Sequence, residues 1–107
     1  MDLIAELELD LSYSHEKMAV RVYRPRQNAE HRTWSCAFEI DDPINIQREI
    51  YGESSLQALF LALKTLSAYL YGSDLYKRKE LGIYGEFGSN LSIPAPQMFL
   101  DIAPFPF

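Results

Sequence analysis

A chain of 107 residues that is 48% hydrophobic and 23% charged, with ten basic and fifteen acidic side chains and a net charge of −5, has the composition of one ordinary soluble domain. At this length roughly 65% of the unfolded surface is expected to be buried, enough for one core, which excludes a two-domain enzyme. The longest apolar run lies within residues 58–63, and the start carries Asp2, Glu6, Glu8 and Asp10. Neither suits a membrane-spanning helix or a signal peptide, so a cytoplasmic protein without a membrane partner is expected. The single cysteine, Cys36, excludes an internal disulfide and a cysteine-based zinc site.

The first half of the chain reads at period two, the mark of strands with one face on a core. Leu3, Ala5, Leu7, Leu9 and Leu11 share one face, opposite Asp2, Ile4, Glu6, Glu8 and Asp10. After a polar turn at residues 12–16, Met18, Val20 and Val22 alternate with Lys17, Arg21 and Tyr23, and Pro25 ends the run because it cannot donate to a ladder. Trp34, Cys36, Phe38 and Ile40 then alternate with Thr33, Ser35, Ala37 and Glu39. Asp41-Asp42-Pro43 has turn chemistry, and Ile44, Ile46 and Ile50 resume the alternation, interrupted by Arg48. The short connections imply an antiparallel meander. Residues 1–16 carry five acids and no Lys or Arg, whereas residues 17–32 carry five bases and one acid. Pairing the first two strands therefore sets acids against bases on the wet face.

At Gly52 the period changes. Ser54 followed by Gln57 is a capping-box pattern, and Leu56, Leu59, Phe60, Leu63, Leu66 and Leu70 follow helical spacing up to Gly72, which suits a left-handed stop. This helix is expected to cover the sheet. Leu61, Ala62, Ala68 and Tyr69 lie off the stripe, so a second side is expected to be covered as well. Ser73-Asp74 suits the cap of a short second helix. From Phe87 onward the chain has one charge, Asp101, and many apolar residues, with Pro94, Pro96, Pro104 and Pro106 excluding a regular helix. The expected fold is α+β in a single domain: a four-stranded antiparallel meander over residues 1–52, a main helix over 54–72, and a short helix or turn with an extended Pro-rich apolar tail over 73–107.

No residue pattern announces catalysis. Cys36 shares parity with Trp34, Phe38 and Ile40 and is expected to pack in the core, with a raised pKa and no partner base in His15 or His31. Asp41 and Asp42 belong to a turn before they belong to a carboxylate pair. Gly82, Gly85 and Gly88 follow a helical region rather than opening a helix, so they read as a loop and not as a phosphate cradle. Tyr69, Tyr71, Tyr76 and Tyr84 gather near the helix end. Arg21, Arg24, Arg26 and Arg32 form a basic patch, but the acidic chain disfavours a nucleic-acid partner.

The stretch Trp34-Ser35-Cys36-Ala37-Phe38-Glu39-Ile40, with Gly52-Glu53-Ser54-Ser55-Leu56-Gln57-Ala58-Leu59-Phe60-Leu61-Ala62-Leu63, resembles a family of small uncharacterised bacterial proteins that pair a W-x-C-x-[FY]-x-I strand with a G-x-[SD]-S-x-Q-A-L-x-L-A helix start. The resemblance covers residues 17–72 and implies no assigned activity. Some similar small acidic α+β proteins accompany secreted bacterial toxins as immunity proteins, an analogy of size and fold.

The expected function is that of a non-enzymatic protein-binding or accessory protein without a cofactor or metal. Its contact surface is expected at Leu61, Ala68 and Tyr69 with Phe99, Phe105 and Phe107, and its polar patch at Arg21, Arg24, Arg26 and Arg32. The alternatives are a homodimeric module using the same apolar surface and a small ligand-binding protein or enzyme using Arg48, Glu49 and Asp41 or Asp42 at a sheet edge. Trp34 and Leu63 are expected to be core residues.

Overall fold

The structure, a computed structural model, describes residues 2–30 and 32–95. Its elements run β1 (Leu3–Leu11), β2 (Lys17–Tyr23), β3 (Arg26–Gln27), β4 (Trp34–Ile40), β5 (Ile46–Gly52), α1 (Ser55–Tyr71), α2 (Asp74–Lys77), β6 (Leu81–Ile83) and β7 (Glu86–Phe87). The strands form one seven-stranded sheet in the order β3-β4-β2-β1-β6-β7, with β5 paired to β4. The expected mixed antiparallel fold with one main helix is present, but the sheet has seven strands rather than four. The three additional strands have two or three residues each, too few for an alternation of hydrophobicity to register.

By contact the chain divides into two compact units, Met1–Leu7 with Ala19–Leu63, and Glu8–Met18 with Lys64–Phe107. In the first unit β4 is the central strand. Residues Trp34 to Ile40 pair with Gly52 to Ile46 of β5 in seven uninterrupted rungs. On the other edge of β4, β2 pairs from Val20↔Ile40 to Val22↔Phe38, and β3 takes over at Arg26↔Ser35. Pro25 explains the break: it removes one ladder donor, so the strand stops at Tyr23 and resumes one residue beyond the proline. Val20, Val22, Cys36, Phe38 and Ile40 are buried, as their parity requires, together with Ala58 and Ala62 of α1. Trp34 and Leu63 are only half-buried. The largest side chain held fully out of water here is Phe38.

The helix start follows the sequence closely. The Gln57 N–H donates to Ser54 Oγ at 3.0 Å, and the Gln57 side chain accepts from the N–H of Glu53, one residue before the cap, at 2.6 Å. The buried stripe differs from expectation. It runs Ala58, Ala62, Leu66 and Leu70 at intervals of four, while Leu56 is 73% exposed. Small residues are buried in the first two turns, a choice that apolar bulk alone does not reveal. Leu3 and Ala5 are likewise exposed although they share parity with buried Leu9 and Leu11.

The second unit buries Leu9, Leu11, Met18, Leu66, Leu70, Leu75, Leu81 and Leu91, with Ser67 as its buried polar residue. Gly72 does not end α1 in a left-handed conformation. Its role is close approach: its N–H donates to Ala68 O at 2.9 Å, and a Cβ there would lie 2.6 Å from that carbonyl oxygen. Ser73 then serves both helices, its hydroxyl donating to Leu70 O at 2.7 Å and accepting from the N–H of Tyr76 at 3.2 Å, as the cap expected for α2. The end of α2 is a Schellman closure, with Glu80 N–H on Leu75 O, Lys79 N–H on Tyr76 O, and Lys79 at φ 60°.

Residues 81–88, expected as loop, form a hairpin. β6 pairs with β1 at Asp10↔Gly82 and Leu11↔Leu81, and with β7 at Gly82↔Phe87 and Ile83↔Glu86. Tyr84 at φ 55° and Gly85 at φ 77° make the two-residue turn with positive φ at both centres that matches strand twist. Asp10 accepts from the Gly85 N–H at 2.9 Å and is also bound by the Lys17 ammonium, which together hold its carboxyl below the ordinary value. Beyond the hairpin, the chain lies along α1. Tyr71 Oη donates to Ile93 O at 2.5 Å and accepts from the Leu91 N–H at 2.9 Å, and Ser67 Oγ donates to Pro94 O at 2.5 Å. A second side of the helix is therefore covered, along the Ser67 and Tyr71 positions. Phe99, Phe105 and Phe107 lie outside the described residues. No helix is long and apolar enough to cross a membrane among those residues.

Candidate functional site

The alternation that buries Cys36, Phe38 and Ile40 turns Ser35, Ala37 and Glu39 outward. On that outer face the register aligns long side chains on both sides of short ones. Arg21, Glu39 and Gln47 form one row across β2, β4 and β5, and Arg26, Ser35 and Tyr51 form another across β3, β4 and β5. Between them Ala37 faces Glu49, while Tyr23 stands two residues beyond Arg21 on β2. Short Ser35 and Ala37 make the floor, and the flanking strands, two spacings or about 10 Å apart, make the walls. The result is two adjoining concavities that share Glu49. One, of about 310 Å³, is lined by Ala37, Phe38, Glu39, Gln47, Arg48 and Glu49. The other, of about 250 Å³, is lined by Arg26, Gln27, Asn28, Ser35, Glu49 and Tyr51.

Charge on this face is ordered. Arg21 reaches Asp41 through two nitrogens, at 2.8 and 3.2 Å, and Glu6 through Nε at 3.0 Å. The pairing with Asp41, then Glu6, raises the Arg21 pKa further, and the guanidinium in turn lowers that of Asp41. Tyr23 Oη donates to Glu39 Oε1, and that bond to a carboxylate, with partial burial, raises the tyrosine's pKa. Arg24 approaches Asp2 at 3.8 Å, and Lys17 meets Asp10. These are the acid-base pairs anticipated from the charge asymmetry of the first two strands.

The four arginines therefore do not act as one patch. Arg21 and Arg24 face acids, Arg26 lines the smaller concavity, and Arg32 sits in a turn at φ 57° with its N–H on Asn28 O at 2.9 Å. Of the expected apolar surface, Leu61 and Tyr69 are half-buried and Ala68 is exposed. Arg48 and Glu49 do meet at a concavity on the sheet edge, whereas Asp41 is committed to Arg21 and Asp42 lies in the turn. Cys36 is buried, donates to Tyr23 O at 3.3 Å, and has its pKa raised by desolvation. His15 is exposed and His31 lies outside the described residues, among which no group of three or more His, Cys, Asp or Glu is placed to hold a metal ion. Tyr71 and Tyr76 pack edge to face at 4.9 Å, while Tyr84 at the hairpin tip is 88% exposed.

Sequence reasoning missed Tyr51, 59% exposed beside Glu49 and Arg26. The signal was present in Ser35 and Ala37, two small residues at consecutive outward positions of the strand with the strongest alternation.

A small α+β fold whose sheet presents a polar, aromatic-edged groove is thus defined. The chain belongs to a family described as a domain of unknown function, DUF6968, whose model matches residues 5–95. The family's extent includes the hairpin and the segment over α1, well beyond residues 17–72. No curated protein and no solved structure matches the chain.

Proposed function

We propose that the protein is a non-enzymatic binding or accessory protein that engages a protein partner through the outer face of β3, β4 and β5. The observation that carries this reading is the pair of adjoining concavities over Ser35 and Ala37, edged by Tyr51, Arg26 and Glu49. Exposed tyrosine and arginine around a shallow depression are the residue types that dominate protein interfaces, and a floor of small side chains admits the partner's larger ones. Glu39, which lines the larger concavity, is held by the Tyr23 hydroxyl before contact, which reduces what binding must immobilise. An immunity protein that neutralises a secreted toxin is one such accessory role, by analogy of size and fold.

The test compares affinity capture from host lysate by the wild type and by an Arg26→Glu, Tyr51→Ala variant, with circular dichroism to verify folding. A stoichiometric partner held by the wild type and lost by the folded variant supports the reading. A partner held equally by both removes the groove from it.

A further inference from the structure

We infer that residues 96–107 strap back onto their own chain, continuing from Ala95 along α1 with Asp101 paired to Lys64. This stands independently of what the groove binds. Three hydrogen bonds set the path. The Leu91 N–H and Ile93 O meet the Tyr71 hydroxyl, and Pro94 O meets Ser67 Oγ, one turn earlier in the helix. Residues 91–94 therefore advance antiparallel to α1. One further turn in that direction brings Lys64, because positions 64, 67 and 71 share one side of a helix. All three positions belong to the second compact unit. Lys64 stands about 160° around the helix from buried Ala62 and from buried Leu66, on the side away from the core stripe. It is nonetheless half-buried, whereas Ala68, one turn later, is exposed.

The occupant follows from charge and tether. Lys64 is the single charged side chain between Gln57 and Gly72, and Asp101 is the single one from Phe87 onward. The chain from Pro94 to Asp101 reaches up to about 23 Å, against about 4.5 Å of helix rise from Ser67 to Lys64. A segment anchored so close meets Lys64 at a high effective concentration, which a separate protein must match by affinity alone. Asp101 is flanked by Met98, Phe99, Leu100 and Ile102, a composition too apolar for a solvated tail. The aliphatic stem of Lys64 gives such residues an apolar surface while its ammonium takes the carboxylate. The apolar residues of the tail are then used within the chain, and a partner that takes them has first to lift the strap from α1.

A double-mutant cycle on the full chain tests this, read by urea unfolding. Lys64→Glu and Asp101→Lys each set like charges together and are each expected to raise the unfolding constant about threefold or more. The double variant restores opposite charges and is expected to return to within about twofold of the wild type. The recovery is expected to be the same at every protein concentration, as a contact within one chain must be. Should a reversed charge prevent folding, Lys64→Gln and Asp101→Asn supply the same cycle, and the two together are expected to cost no more than either alone. Single effects that simply add overturn the inference. So does a recovery that vanishes on dilution, which would place the pair between copies.

Discussion

Phe38 has no exposed surface, while half-buried Trp34 and Leu63 retain some of theirs. Truncating a fully enclosed aromatic removes its transfer free energy and leaves a cavity, so Phe38→Ala should cost about 3–5 kcal/mol in urea titration. Leu56→Ala should fall within about 0.5 kcal/mol of wild type, since Leu56 is 73% exposed. A comparable loss at Leu56 would contradict the buried stripe of α1. Tyr71 offers a second residue-level prediction. Its hydroxyl gives a hydrogen to Ile93 O and takes one from the N–H of fully buried Leu91. Tyr71→Phe strands that N–H, at a cost of about 1–3 kcal/mol. Amide exchange at Leu91 should accelerate accordingly, and an unchanged rate would show that the bond does not hold the segment.

At the scale of elements, α2 ends with Lys79 at φ 60°, a conformation that glycine adopts without the Cβ penalty. Lys79→Gly should therefore raise stability by roughly 0.5–1 kcal/mol in thermal or urea unfolding, and a loss would mean that the lysine's contact with Gly88 outweighs backbone relief. Elements were legible in the sequence where chemistry repeats along the chain. The four long strands show period two, the Ser54 and Gln57 pair marks a helix start, and Ser73 marks the next. The hairpin was not legible because its strands have three and two residues and its turn places tyrosine, not asparagine or glycine, at the first centre. The groove was half legible. In the sequence Arg26 belongs to the basic patch and Arg48 with Glu49 to a sheet edge, but the register that brings Arg26 and Glu49 to one concavity depends on β3, a two-residue pairing that periodicity does not reveal.

For the molecule as a whole, the titration of Asp10 and Asp41 sets an acid limit. Both carboxyls are held below their ordinary value of 3.8, Asp10 chiefly by Lys17 and Asp41 chiefly by Arg21. The folded state therefore binds fewer protons than the unfolded state at pH near and below 3.8. Their contribution is complete above that value and is lost as pH falls through the lower folded values. Tyr23 and Tyr71 act at the other end, Tyr23 through the Glu39 carboxylate and Tyr71 through burial, each titrating above its ordinary 10.0. Their contribution is complete below pH 10 and declines as pH rises through the folded values. The urea midpoint should thus fall on both flanks, and Asp41→Asn should shallow the acid flank. An acid flank of unchanged slope in that variant would show that Arg21 does not set it.

The bond between Asp10 and the Gly85 amide joins positions 75 apart. During synthesis the second half of β1 leaves the ribosome long before β6 exists, so its edge at Asp10 and Leu11 waits while some seventy further residues are made. Closing so long a loop is a late and comparatively slow event. Until β6 has been made this edge of β1 is unpaired, and the negative charges of Glu8 and Asp10 on the strand disfavour its pairing with an identical strand.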